Sequence, residues 1–142
     1  MARKKVVVYQ LVGHRFMGVN EQGDKAMIDG DQPPTGPRPM ELLLMALGAC
    51  TAYDVVDIMN KKKQPLARYR VEVEGVRAET HPKRYTQITV RHIASGPGVT
   101  EEALRRAVEL SHTKYCSVSA SLNAEITTEV VVEPWEEDAP RH

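Results

Sequence analysis

Pro39 to Lys63 reads PMELLLMALGACTAYDVVDIMNKKK, and the reading of this stretch decides how the rest of the chain is arranged. From Leu42 to Val56 apolar residues fall on nearly every helical face, with only Thr51 and Asp54 as polar interruptions before Asp57. A helix apolar all round is either a membrane span or the central helix of a core. The uninterrupted apolar run is short for a bilayer and is broken by two aspartates, which favours the core. Pro39 suits the first helical position, where a missing N–H is no loss. Lys61, Lys62 and Lys63 complement the negative end of the helix dipole, and Pro65 forbids continuation. The expectation is one long helix with Cys50 buried at its middle.

Working outward, Lys4 to Val12, Arg15 to Val19 and Lys25 to Asp29 are strand-like, with a turn at Glu21-Gln22-Gly23-Asp24, so a small meander precedes the helix. Gly30 to Pro39, GDQPPTGPRP, is a Pro/Gly-rich connector. After Pro65, Tyr69, Val71 and Val73 alternate with Arg70, Glu72 and Glu74, the pattern of a half-buried strand. Tyr85 to Ala94 is its expected antiparallel partner, with Ile88 and Val90 on the same face as Thr86 and His92. A second helix is expected from Glu101. Thr100 is its N-cap, Glu101 and Glu102 complement its dipole, Val99 can staple onto Leu104, and Leu104, Ala107, Val108 and Ser111 form the inner face. The pattern weakens near Ser111 to Thr113, and Lys114 to Leu122 reads as a short helix carrying Cys116. Glu125 to Val132 alternates again as the last strand. The order is βββ–α–ββ–α–α–β, an α+β chain with antiparallel sheet and no run of βαβ units.

The length, 142 residues, fits one compact domain, here 1–142, with an acidic tail from about Glu133 that Trp135 partly orders. Lys plus Arg and Asp plus Glu both number 19, so no net charge draws the chain toward nucleic acid or an anionic membrane. The runs Arg3-Lys4-Lys5 and Lys61-Lys62-Lys63 read as solvated ends of elements. The start, MARKKVVVYQLVGHRF, lacks the apolar stretch and cleavage site of a signal peptide, and the expected location is cytoplasmic. In a reducing compartment two cysteines that pair do so as part of a redox cycle. A long helix with no polar face in so small a chain points to an obligate homodimer in which a partner supplies one wall.

Cys50 and Cys116 are the only cysteines. Two readings of them stand from chemistry alone. Both pack as inert small hydrophobes, or one is activated in an electropositive, partly exposed setting. There is no CxxC, and among His14, His81, His92, His112 and His142 no pair has zinc-ligand spacing, so no metal is expected. No nucleophile elbow supports a Ser-His-Asp hydrolase.

The segments GPRPMELLLMALGACTAYDVV around Cys50 and LSHTKYCSVSASL around Cys116, in that order, resemble the OsmC/Ohr family of osmotically induced and organic-hydroperoxide-resistance proteins. The forms PRPMELLLMALGAC and KYCSV resemble its YhfA-like branch more than either founding branch. The resemblance runs from Val6 to Val132. It implies an intertwined homodimer and a thiol-dependent peroxidase that reduces organic hydroperoxides. In that scheme Cys50 is the peroxidatic cysteine and Cys116 the resolving one. No metal or organic cofactor takes part, and an external thiol or dithiol is the electron donor. The resemblance also implies an arginine, held by a glutamate, that offsets the charge of the thiolate. Arg15 in GHRFMG is the candidate and Arg38 its competitor. Glu41 is the nearest match to the glutamate, although the hydroperoxide-resistance branch has its acid one place earlier, where this chain has Met40. On an ideal helix Glu41 lies about half a turn from the face of Cys50. His112 and Lys114 are possible electrostatic helpers of Cys116. The alternative to a peroxidase is a non-catalytic binding protein or thiol redox sensor on the same scaffold.

Overall fold

A computed structural model describes residues 2–137. The chain divides into two compact units, one ending at Leu43 and one beginning at Leu44.

The N-terminal unit is a three-stranded meander, β1 (Val6–Val12), β2 (Arg15–Asn20) and β3 (Lys25–Asp29), paired antiparallel in the order β1-β2-β3. The turn at 21–24 is fixed by Asn20, whose side-chain oxygen accepts the N–H groups of Gln22 and Asp24. It sets a register in which Val19 faces Lys25 and therefore Arg15 faces Asp29. Beyond β3 the connector begins the long helix α1 (Pro39–Lys61). Glu41 caps that start by accepting the Arg38 N–H at 2.9 Å, half of a capping box.

The second unit holds most of α1, then β4 (Arg68–Arg77), β5 (Tyr85–Ser95), α2 (Glu101–Leu110), a π-helical turn (Ser111–Tyr115), α3 (Ser117–Ser121) and β6 (Glu125–Val132). The α+β class and the element order are those read from the sequence. β4 and β5 form the expected antiparallel pair. β6 runs parallel to β5, where the sequence led us to expect only antiparallel sheet. The helical crossover between them returns the chain to the end of the sheet where β5 began, and that fixes the direction of β6.

Five residues of α1 are buried, Leu47, Gly48, Thr51, Val55 and Met59, and they form one stripe. A Cβ on Gly48 would stand 3.0 Å from the Val73 side chain, so glycine lets the helix lie close on the sheet. Val55 and Met59 pack with Ala94, Ala103, Leu104, Ala107 and Val108 into the core. Thr100 caps α2 as expected, accepting the Ala103 N–H, and Val99 packs against the same core. On the other side of α1, Met45, Tyr53 and Val56 are exposed. Among the described residues α1 is long and apolar enough by length and composition to cross a membrane, so its core assignment rests on this buried stripe and not on length.

The helix ends as Lys63 turns into the left-handed region (φ 60°) and the Gln64 N–H bonds the Met59 carbonyl, just before Pro65. At the C-terminal end, Glu133 donates its N–H to the Ala94 carbonyl and the Arg68 guanidinium lies 5.2 Å over the Trp135 ring. The rest of the expected acidic tail, His142 included, lies outside the described residues.

Candidate functional site

Cys50 lies in the middle of α1, half-buried, one residue before the buried Thr51. Cys116 arrives from the other side. The sequence placed it inside a helix; it is instead the residue between two helical pieces, with extended backbone (φ −73°, ψ 102°). After α2 the backbone widens into the π turn, whose closing bond runs from the Cys116 N–H to the Ser111 carbonyl at 2.8 Å. Such a turn inserts extra chain into a helix, and such turns are frequent at functional sites. Cys116 then caps α3, its Sγ accepting the Ser119 N–H at 3.4 Å.

Cys50 lies close enough to Cys116 to raise its thiol. Cys116 is 4% exposed, and burial pushes its thiol up to about 11. The Ser119 N–H acts the other way, whereas the neighbouring Cys50 and the negative charge of Asp54 add to the rise. Cys116 therefore holds its proton at neutral pH, while the more exposed Cys50 is the thiol that a reagent can reach. Both are free thiols.

Around Cys116 is a cavity of only about 10 Å³, lined by side chains that include Leu47, Thr51, Val90, His112 and Thr128. His112 Nδ1 is 3.3 Å from the Ser119 hydroxyl. Lys114 is exposed, its ammonium 5.2 Å over the Tyr115 ring. On the outer side of α1, next to Cys50 in sequence, Ala49, Ala52, Tyr53, Val56 and Asp57 line an open depression of about 450 Å³.

Arg15 and Glu41 belong to the N-terminal unit. The carboxylate that holds Arg15 is Asp29, which is fully buried and accepts the Arg15 Nε–H at 3.1 Å, while an Arg15 terminal nitrogen donates to the Pro33 carbonyl at 2.9 Å. Burial alone would raise the Asp29 carboxyl. The Thr35 hydroxyl, the amides of Asp31 and Thr35, and Arg15 outweigh it and bring the group down to about 2. Glu41 is occupied at the helix start, and Arg38 makes a long bond to the Gly30 carbonyl at 3.4 Å. Sequence reasoning missed Asp29, although a hairpin with Val19 opposite Lys25 also sets residue 15 opposite 29.

It also missed a polar bridge beside the cysteines. The Ser111 hydroxyl donates to Asp54 Oδ2 at 2.7 Å and stands 2.8 Å from the Thr51 hydroxyl. Among the described residues no group of three or more His, Cys, Asp or Glu side chains is placed to hold a metal ion.

Fold and site together define an α+β protein with two neighbouring thiols, one on α1 and one at the end of the π turn. A family model described as OsmC-like protein matches residues 30–131. Protein YhfA of Escherichia coli K12 is 38% identical over 110 residues, 78% of this chain and 82% of that one. A hypothetical protein from Aquifex aeolicus VF5 has the same fold (TM-score 0.79, 36% identity), covering 94% of this chain and all of the other. The organic hydroperoxide resistance protein OhrB of Bacillus subtilis aligns at a TM-score of 0.61 and 15% identity, covering 93% and 98% of the two chains, a likeness of fold. The chain belongs to the OsmC-like family.

Proposed function

We propose that the protein is a thiol-dependent peroxidase that reduces organic hydroperoxides. The supporting observation is the proximity of Cys50 and Cys116, one thiol half-buried and the other buried and protonated. The Cys50 thiolate attacks the terminal peroxide oxygen, the O–O bond breaks, and the alkoxide leaves as the alcohol after taking a proton. Cys50 is then a sulfenic acid. Cys116 attacks its sulfur, the S–S bond forms, and hydroxide leaves with the Cys116 proton as water. An external thiol or dithiol reduces the disulfide by exchange and is itself oxidised. The test is consumption of a peroxide with a dithiol in excess, with the Cys50–Cys116 disulfide mapped by peptide mass. Sulfinic acid on Cys50 with Cys116 still free refutes the resolving role.

Arg15 and Glu41 are kept as proposed helpers on the resemblance alone, with cytoplasmic location as the setting that supplies reductant. A non-catalytic apolar-ligand carrier is the second reading, favoured by the open depression along Tyr53 and Val56. No turnover of any peroxide by the reduced protein selects it.

That depression also bears on substrate. Its lining is apolar apart from the Tyr53 hydroxyl and Asp57. Each substrate methylene that leaves water there gains about 0.8 kcal/mol. A four-carbon substituent, partly buried, gains one to two orders of magnitude in kcat/KM at roughly 1.4 kcal/mol per tenfold. tert-Butyl or cumene hydroperoxide is therefore expected to outcompete hydrogen peroxide by about that factor, with the dithiol held constant. Equal efficiencies refute an apolar substrate site.

We further propose a homodimer whose partner packs on the outer face of α1 around this depression and supplies its missing wall. Met45 is 56% exposed and Tyr53 77% exposed, a large apolar presentation for one helix of a small protein. Sedimentation is expected to give a dimer at micromolar concentration. A folded monomer under those conditions sinks the proposal.

A further inference from the structure

Two polar side chains of α1 near Cys50, Thr51 and Asp54, meet a third, Ser111, which opens the π turn that ends at Cys116. Ser111 is fully buried and Thr51 is 4% exposed, so neither hydroxyl is satisfied by bulk water. The direction of the bonds follows from counting protons. An ionised carboxylate only accepts, so Ser111 gives its single proton to Asp54, and the 2.8 Å contact has to be Thr51 donating to Ser111. The chain of bonds Thr51 to Ser111 to Asp54 is thus fully ordered. Its middle member is also the residue whose carbonyl takes the Cys116 N–H and closes the π turn. One residue therefore ties the Cys50 helix, through its side chain, to the backbone position of Cys116, through its carbonyl.

We propose that Thr51, Ser111 and Asp54 form a clamp that holds the Cys116 turn in register with Cys50 and so sets how readily the two thiols close into a disulfide. The proposal rests on the reading of the two cysteines as a redox pair. All three are positioning residues, since they act through the placement of Cys116. Asp54 has a second effect through space, because its charge opposes formation of a Cys116 thiolate. The other titratable groups facing Cys116 are Cys50 from α1 and His112 from the π turn; β5 and β6 face it with Val90, Ile126 and Thr128.

The test uses the full chain in glutathione redox buffers, which need no peroxide. The fraction of Cys50–Cys116 disulfide is read by alkylation and mass spectrometry. Ser111→Ala, Asp54→Ala and the near-isosteric Thr51→Val are each expected to lower the effective concentration of the thiol pair, by about tenfold for the first two. Asp54→Asn keeps an acceptor for Ser111 and is expected to stay within about threefold of wild type. In a Cys50→Ser background, the same Asn variant is expected to move the pH midpoint of Cys116 alkylation downward, which a purely structural role would not do. Circular dichroism verifies that each variant is folded. Wild-type closure in folded Ser111→Ala and Thr51→Val overturns the clamp, as does a wild-type chain that forms no Cys50–Cys116 disulfide. A chain that closes in glutathione with these dependences but ignores peroxides keeps the clamp and loses the peroxidase.

Discussion

Cys50→Ser is expected to remove peroxide consumption, by at least about three orders of magnitude, because loss of a nucleophile leaves only binding and general electrostatics. Cys116→Ser is expected to behave differently. Its first turnover proceeds, since Cys50 still attacks the peroxide, but no internal thiol captures the sulfenic acid. One equivalent of peroxide is consumed in a burst, and a second, slower equivalent then takes Cys50 from sulfenic to sulfinic acid unless an external thiol intervenes. The two variants are therefore separated by stoichiometry and not only by rate. The asymmetry follows from the site: Cys50 is half-buried, while Cys116 is 4% exposed and its thiol is raised to about 11 by burial, by Cys50 and by Asp54. Stopped-flow peroxide consumption, with intact-mass analysis of the product, reads both outcomes. Equal residual turnover in the two variants would mean that the thiols do not divide the work in this way.

What the sequence revealed and what it hid have the same cause, the range over which each signal acts. Pro39, Thr100 and Pro65 act within one helical turn, and the boundaries they mark are found where expected. The strands of the meander and of β4 and β5 alternate, and alternation is also local. β6 alternates just as well, but its direction depends on where a long helical crossover ends, and no residue in EITTEVVV encodes that. The π turn left a faint trace. The buried positions of α2 are 103, 104, 107 and 108; Ser111 follows at the start of the π turn, and the next is Cys116, five residues on, the step of a π turn. Thr51 and Asp54 looked like interruptions in an apolar helix. They are half of a bridge whose other half, Ser111, lies far along the chain, and a polar residue on the inner face of α2 was the one available sign. Arg15 was legible as a candidate, but its carboxylate came from hairpin register and not from the helix start.

The acid stability of the fold should be governed by a different buried residue, His92. It is fully buried on β5, two residues after Val90, which walls the Cys116 cavity, and two before Ala94 of the core. Its Nδ1 is 2.7 Å from the Tyr69 hydroxyl and the two rings stack at 6.0 Å. Nε2 is buried with no hydrogen-bond partner among the described residues. An imidazolium here would have two N–H groups and a charge to satisfy, and burial accordingly pushes the group down to about 4. The unfolded chain takes up this proton near 6.5, so the unfolded state binds more protons between the two values. Stability from neutral His92 is complete above pH 6.5 and is lost as pH falls toward 4, by about 3 kcal/mol at roughly 1.4 kcal/mol per pH unit. Asp29 works in a lower window, from its usual value of 3.8 down to about 2, so the two acid limbs are separable. His92→Leu fills a similar volume and removes the proton linkage, at the loss of one hydrogen bond to Tyr69, about 1 kcal/mol. Urea unfolding of both proteins at fixed chain concentration is expected to give similar stability at pH 7. Between pH 6.5 and 4 the variant should hold nearly constant while the wild type falls. Parallel acid limbs would mean that His92 is charged in the folded protein, or that it is not the group that titrates.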